Sequence, residues 1–391
     1  MRVRRFRSTR YVLYGSRHYQ HYKQQATRMR EATLCSFLGL ILALCVSVVV
    51  VANADTPTKP AATNSKTKNA THGPASSLVK PAVIMSATPT PVTQSSSSTI
   101  VKPGWTNLPL YTDPANEATA YYQSDPGTTG AGYIKREGEV PTANWFGDWN
   151  ADVQSDVDIY VGAAAAAHAV PVLVLYNIPQ RDCGSYSAGG AASASAYTNW
   201  IQKVSTGIGG RLAVVVLEPD AVAGLGCLSS ADQQSRYAAL SQAITILKLS
   251  SNTAVYLDAG NPAWQPATVM AQRLRATNIA QADGFSLNVS NYVGTARSQS
   301  YGNQLSRLVG NKHFVIDTSR NGNNATPPDE WCNSSTAALG STPTANTGDP
   351  LNDALLWVKL PWESDGTCNG APPAGMVYWS FAIQLAKNAG W

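Results

Sequence analysis

Charge is scarce in this chain of 391 residues: Asp, Glu, Lys and Arg together make up 14% of it. Histidine is scarcer still, with only His18, His21, His72, His168 and His313. The first three precede residue 101, His168 sits at a helix end and His313 opens a strand. A Ser-His-Asp triad and a His-based zinc site are therefore poorly supported. No GxGxxG and no Walker loop occurs, so the usual phosphate cradles are missing. The cysteines beyond residue 100 are Cys183, Cys227, Cys332 and Cys368, spaced by 44, 105 and 36 with no CxxC pair. That spacing argues against a zinc ribbon. There is no internal repeat, and only one long apolar run.

What charge there is lies unevenly. Residues 1–30 carry nine Lys or Arg and no acid, which accounts for the formal net charge of +5. Residues 101–391 hold 16 basic and 22 acidic residues, a net of −6. A basic, nucleic-acid-binding body is disfavoured, and no nucleic-acid partner is expected. Leu34 to Ala54 is an uncharged stretch of 21 residues ending in Ala52-Asn53-Ala54, the small-x-small pattern of a signal-peptidase site. It is also long enough to span a bilayer if left uncut. Met29 would open a leader of more ordinary length. The expected location is extracellular, by secretion or, alternatively, on a retained membrane anchor. Residues 55–100 are rich in Thr, Pro, Ser, Ala and Lys and read as a disordered spacer. The domain reading is thus 1–54 leader with signal or anchor, 55–100 linker, and 101–391 a single folded body acting as a monomer. An even number of body cysteines behind a secretory segment suggests two disulfides, in any of three pairings.

The body alternates strands with helices. Strands are expected at 143–147, 172–177, 212–217, 254–257, 284–288, 313–316 and 355–359. Runs such as VLVLY and AVVVL are apolar throughout, the mark of strands covered on both faces. Helices are expected at 156–169, 194–208, 231–249, 266–278 and 379–388. This alternation implies parallel strands with right-handed crossovers. The expected fold is α/β, a distorted parallel barrel of about seven strands. Polar groups follow the strands in turn: Asp182, then Glu218 and Asp220, Asp258, Asn288 and Asn291, Asp317 and Arg320, and finally Glu363 and Asp365. A single Asp at a strand end is usually a cap or turn residue. Carboxylates after five strands point instead to a working rim, where such barrels keep their active sites. With no catalytic His, the tools left are carboxylates, Tyr, Trp, Lys and Arg. Paired carboxylates can hydrolyse glycosidic bonds, and Trp145, Trp149, Trp264, Trp331 and Trp362 near the rim could stack on sugar faces or simply fill the core. Neither a metal nor another cofactor is expected.

Several segments resemble glycoside hydrolase family 6, the secreted inverting cellulases. They are VLYNIPQRDC (174–183) with Ser187-Ala188-Gly189-Gly190, VLEPD (216–220), YLDAG with Trp264, LNVSNY, VIDTSRNGN, WCN, ANTGD and WVKLPWESDGTC, all in the family's order. The resemblance covers about residues 105–391. It implies that Asp220 is the proton donor and that Asp182, held close by, supports its protonation; a neighbouring carboxylate raises a partner's pKa. It implies that Tyr176 presses on the distorted sugar and that Ser187 helps position the attacking water. Asp365 falls where the base is usually proposed, although a relay through water is the rival view in the family. Trp145, Trp264, Asn291, Trp331, Lys359 and Glu363 are the implied sugar-contacting residues, and the implied disulfides are Cys183–Cys227 and Cys332–Cys368. Glu218 and Asp258 also read as structural acids, and Asp317 as the buried partner of Arg320. The sequence departs from the family's usual pattern at Asn261, at Leu360 and Trp362 before the base, and at Ser334-Ser335-Thr336. Only about a dozen residues separate Asp365 from the last helix, too few for a long roofing loop. That favours an open cleft and internal cleavage of a β-1,4-glucan, over a cellobiohydrolase or a β-glucan-binding protein on the same scaffold.

Overall fold

The computed structural model describes residues 101–323 and 331–391. The leader, the Leu34–Ala54 run and the linker lie outside the described residues. Seven strands form one parallel sheet in the order β1 to β7. They are β1 (Asn144–Gly147), β2 (Val172–Tyr176), β3 (Ala213–Leu217), β4 (Thr253–Asp258), β5 (Gly284–Leu287), β6 (His313–Asp317) and β7 (Asn352–Leu356). Two helices precede β1: α1 (Glu117–Ser124) and α2 (Ala131–Gly138). α3 (Val153–Ala166), α4 (Ala194–Ile208), α5 (Ser230–Leu247), α6 (Ala267–Ala276) and α7 (Thr295–Leu308) connect β1 through β6, and α8 (Trp379–Asn388) closes the chain.

The all-apolar strands behave as expected. Leu173 and Leu175 pack outward with Val215, Leu217, Val255 and Leu257 against helices α3 to α7. Their neighbours Val172, Val174, Val214, Val216, Tyr256 and Val315 fill the barrel interior. The period of two sends alternate side chains to two separate cores. β1 and β7 share no ladder, but the Ala143 N–H donates to the Trp357 carbonyl at 2.9 Å. The Trp145 indole N–H donates to the Val358 carbonyl at 2.8 Å. These bonds draw the sheet into a nearly closed barrel. At its amino end, the Trp105 indole N–H donates to the Tyr256 hydroxyl, which donates to buried Asp353 at 2.6 Å.

Two expectations need correction. The last strand runs from Asn352 to Leu356, not 355 to 359. The Val358 and Lys359 N–H groups leave the ladder and donate to the Asp317 carboxylate. The apolar run LLWVKL had masked a strand that begins on the buried polar pair Asn352-Asp353. Helix α7 was not anticipated, because TARSQSYGNQLSRL is too polar for its spacing of Ser298, Tyr301, Gly302 and Leu305 to stand out.

Candidate active site

The rim carboxylates sort into two groups by what they hold. Glu218, Asp258 and Asp317 are fully buried and grip backbone N–H groups of neighbouring strand ends. Glu218 accepts from Asn177 and Ile178 at 3.0 Å and so fixes the start of the loop after β2. Asp258 accepts from the Asp220 N–H at 3.0 Å, from the Gly260 N–H and from the Ser286 hydroxyl, tying β3, β4 and β5 together. Asp317 accepts from Ser290, Ser319, Val358 and Lys359, and so joins β5, β6 and the exit of β7. Burial pushes Glu218 up to about 7 and Asp258 up to about 6, against the lowering effect of these hydrogen bonds. The reading of Glu218 and Asp258 as structural acids therefore fits. Asp317 does not pair with Arg320, contrary to expectation. Its acceptor sites are filled by backbone N–H groups, which repeat along the chain and give no sequence signal.

Asp220 stands at the centre. Its carboxyl is held well above the usual range, first by desolvation and then by the nearby carboxylates of Asp258, Asp182 and Asp365. Its backbone is left-handed, with φ 69°, as are those of Glu218 and Asp182 at 50° and 53°. Such non-glycine strain persists only where the surroundings enforce it, and it clusters at active sites. Here Asp258 enforces it by holding the Asp220 N–H. Asp182 is itself raised by partial burial, although it accepts from the Ser187 N–H at 2.8 Å. That bond sets Ser187 directly beside Asp182, at a partly exposed position.

Arg181, which the sequence reading passed over, organises this loop. It is 5% exposed. It donates to Asp148, to the Tyr176 carbonyl and to the Ser187 and Ala188 carbonyls, and its plane lies 4.7 Å from the Tyr176 ring. Any side chain at Gly189 would strike Arg181, and Gly189 has φ 146°, which explains a glycine there. Cys183–Cys227 joins the loop to the one after β3.

Asp365 is gripped from several sides. Both guanidinium nitrogens of the fully buried Arg320 reach it, at 2.9 and 3.0 Å. The Tyr292 hydroxyl donates to it at 2.6 Å and the Asn333 N–H at 2.9 Å. Its Oδ2 thus takes three donors, and its Oδ1 only Arg320. Cys332–Cys368 brackets the Asn333–Asp365 contact. Tyr292 and Asn333 were also missed; Tyr and Asn occur too often in loops to be singled out. Lys359 donates to Glu363 at 2.7 Å and sits 5.7 Å from the Trp145 ring, which meets Tyr176 edge-on at 5.4 Å. Trp264, 41% exposed, packs over Gly224 and Gly260 beside Asp220. Trp331, 49% exposed, tilts against Tyr186 at 5.9 Å. Asn291 spends its side-chain N–H on the Val289 carbonyl and is partly exposed. Among the described residues, no group of His, Cys, Asp or Glu could hold a metal ion.

The arrangement thus offers a carboxyl raised well above its ordinary range, a second carboxylate under tight hydrogen-bond control and exposed aromatic faces. The family model described as Glycosyl hydrolases family 6 matches residues 104–389. This chain belongs to glycosyl hydrolase family 6. Its relatives in that family include Endoglucanase A of Cellulomonas fimi, 45% identical over 72% of this chain and 62% of that one. Endoglucanase 1 of Streptomyces halstedii is 44% identical over 66% of this chain and 82% of that one. The chain therefore spans less than two thirds of the first relative's length. A cellobiohydrolase-named relative from Neosartorya fischeri is 31% identical over 64% of this chain and 70% of its own. Among solved structures, the endoglucanase Cel6 of Mycobacterium tuberculosis, in complex with methyl-cellobiosyl-4-deoxy-4-thio-β-D-cellobioside, is 42% identical with a TM-score of 0.70. The match covers 73% of this chain and 98% of that one. The disulfides implied by the family resemblance, Cys183–Cys227 and Cys332–Cys368, are both formed, with Cα–Cα separations of 5.9 and 6.3 Å.

Proposed function

We propose that this chain is an extracellular endo-β-1,4-glucanase that hydrolyses internal bonds of cellulose or a related β-glucan with inversion. The observation that carries the reading is the Asp220 carboxyl, desolvated and surrounded by three other carboxylates. A carboxyl kept protonated at working pH can protonate the leaving glycosidic oxygen. Asp182 acts through Asp220: its negative charge keeps the donor's proton in place. Tyr176, wedged between Trp145 and the Arg181 plane, supplies a rigid face against the sugar at the cleaved bond. Trp145, Trp264 and Trp331 carry neighbouring sugars, and Lys359, Glu363 and Asn291 hydrogen-bond their hydroxyls.

Asp365 assists the attacking water. Its Oδ2 has no acceptor site left, and Arg320 pairs with the group directly. The remaining site on Oδ1 can orient a water chain that runs past Ser187, so the proton leaves by relay. The higher identity to endoglucanase-named relatives, 44–45% against 31%, favours internal cleavage over a cellobiohydrolase.

The test is hydrolysis of carboxymethylcellulose by the full chain recovered from a secreting host, with viscosity and reducing ends followed together. A fast viscosity fall per new reducing end, abolished in Asp220→Ala, is expected. Well-folded protein inactive on both carboxymethylcellulose and mixed-linkage glucan would refute the glucanase reading in favour of sugar binding alone.

A further inference from the structure

Trp362 stands where the sequence departs from the family's usual approach to Asp365. Its side chain is fully buried and turns away from the cleft. It packs among Ala118 and Tyr121 of α1, Ile134 of α2, and Trp379, Ala382 and Ile383 of α8. Its indole N–H donates to the Glu117 carboxylate at 3.0 Å. The next residue along the chain is Glu363, which holds Lys359 at 2.7 Å. The Lys359 ammonium in turn lies 5.7 Å from the Trp145 ring. An acid at the start of α1 is thus joined through one indole to the loop that carries the sugar-contacting pair.

We propose that Glu117 is a positioning residue for Lys359 and Glu363, acting through Trp362, and that its ionisation weakens β-glucan binding. The inference rests on the glucanase reading of the cleft. While Glu117 is neutral, Glu363 is the one carboxylate facing the Lys359 ammonium in this cluster. When Glu117 ionises, two carboxylates compete for a single ammonium, and Glu363 is repelled. Burial and the charge of Glu363 push Glu117 up to about 7, against the lowering effects of the Trp362 bond and Lys359. The change therefore falls within the pH range a secreted hydrolase meets.

The other charged groups around this layer do not supply the effect. α1 carries no carboxylate or basic side chain besides Glu117, and α8 carries only Lys387. On α2, Lys135 pairs with Glu139 at the surface, Arg136 lies over the Trp391 ring, and Glu137, raised to about 8 by burial alone, is present in every variant compared, so its contribution cancels. Asp113, before α1, is raised by burial and acts on Tyr160.

The experiment measures cellotetraose binding by calorimetry between pH 5.5 and 8.5. Asp220→Asn is used throughout, so that no hydrolysis occurs and the general acid cannot contribute to the pH profile. The full chain is recovered from a secreting host, and each variant's fold is checked by near-ultraviolet circular dichroism. Coupling between the two sites predicts a rise in Kd of about fivefold across this range, centred where Glu117 loses its proton. Adding Glu117→Gln, which keeps an acceptor for the indole but cannot ionise, lowers the slope; what slope remains comes from Glu137, Glu218, Asp258 and Asp182, which both chains share. Adding Trp362→Phe removes the donor that favours the charged carboxylate and moves the midpoint to higher pH. An equal slope with and without Glu117→Gln overturns the proposal, as does a flat profile in Asp220→Asn alone. If the Gln variant does not fold, an unmoved midpoint in Trp362→Phe overturns it. A folded Asp220→Asn chain that binds no cellotetraose at any pH overturns the glucanase reading, and this inference with it.

Discussion

Replacing Glu137 by Met should stabilise the protein, and by much more at pH 8 than at pH 5. Glu137 lies on α2, three residues after Ile134, so both side chains face the same buried layer. It is fully buried, and neither carboxyl oxygen has a hydrogen-bond partner among the described residues. Desolvation pushes it from an ordinary 4.5 up to about 8. The consequence for stability has a definite sign. Below the unfolded value both states are protonated and the site is neutral to folding. As pH rises past it, the unfolded chain ionises while the folded one does not, and folding is progressively opposed. Above the folded value the penalty levels off. At about 1.4 kcal/mol per pKa unit, the penalty is under ~1 kcal/mol at pH 5 and ~4 kcal/mol at pH 8. Methionine has a similar length and bends to fill the same space without a charge to desolvate. The assay is equilibrium urea unfolding of wild type and Glu137→Met, followed by tryptophan fluorescence at pH 5, 6.5 and 8. Comparing the two proteins at each pH cancels the other titrating groups. The stability gap should widen by ~3 kcal/mol between the extremes. An equal gap at all three values would mean that Glu137 is not held neutral in the folded chain, and the argument from burial would fail.

Other expected outcomes follow from the same geometry. In Asp182→Asn the charge that helps keep Asp220 protonated is gone, so the alkaline limb of kcat should move to lower pH; an unmoved limb in a pH–rate profile would exclude that role. Arg320→Met leaves the Asp365 carboxylate buried without its partner and should cost about 3–5 kcal/mol of stability, read by urea unfolding, with kcat falling as well. Cys332→Ser with Cys368→Ser opens a cross-link spanning 36 residues and should cost about 4 kcal/mol by the loop-entropy relation, with a larger loss of activity than of melting temperature because Asn333 and Asp365 lose their brace. Trp264→Ala should raise KM for carboxymethylcellulose about tenfold with little change in kcat; one stacking face contributes roughly 0.5–1.5 kcal/mol beyond its buried area.

Much of the architecture could be read from the sequence, because it is written in the residues' local preferences. AVVVL has no polar face to offer water, so it must be covered on both sides, and β3 is found so covered. The stretch read as a helix at 194–208 is α4, which Ser193 caps and whose Tyr197, Ile201, Val204 and Ile208 are buried. Asp220 and Asp182 stood out because acids recur in the loops that leave the strands, and their proposed roles came from the family resemblance. What was hidden depends on contacts between distant segments. Arg320 was assigned to the acid three residues before it, yet it reaches Asp365, 45 residues away. Arg181 organises its loop through carbonyl groups, which every residue carries. Trp362 looked like a rim aromatic and is buried behind the rim, because its partner Glu117 lies 245 residues earlier in the chain.

One property of the molecule emerges only when the carboxylates are considered together. Glu137, Glu117, Glu218 and Asp258 are raised to about 8, 7, 7 and 6, and Asp113, Asp182, Asp220 and Asp317 are raised as well. Asp349 alone among the shifted acids is lowered. The folded chain therefore binds more protons than the unfolded chain from the ordinary carboxylate range up to about pH 8. Stability must fall as pH rises through that interval. The same burial that creates this cost holds Asp220 above the usual carboxylate range, as the proposed proton donor requires. It also lets Glu218, Asp258 and Asp317 hold the strand ends at fixed distances. Stability and the proposed acid catalysis are thus drawn to the same side of the pH scale by one cause, the burial of carboxyl groups. A substitution that removes the buried carboxyl of Glu137, which is not among the groups that raise Asp220, should separate the two, raising stability at pH 8 while leaving the alkaline limb of kcat where it was.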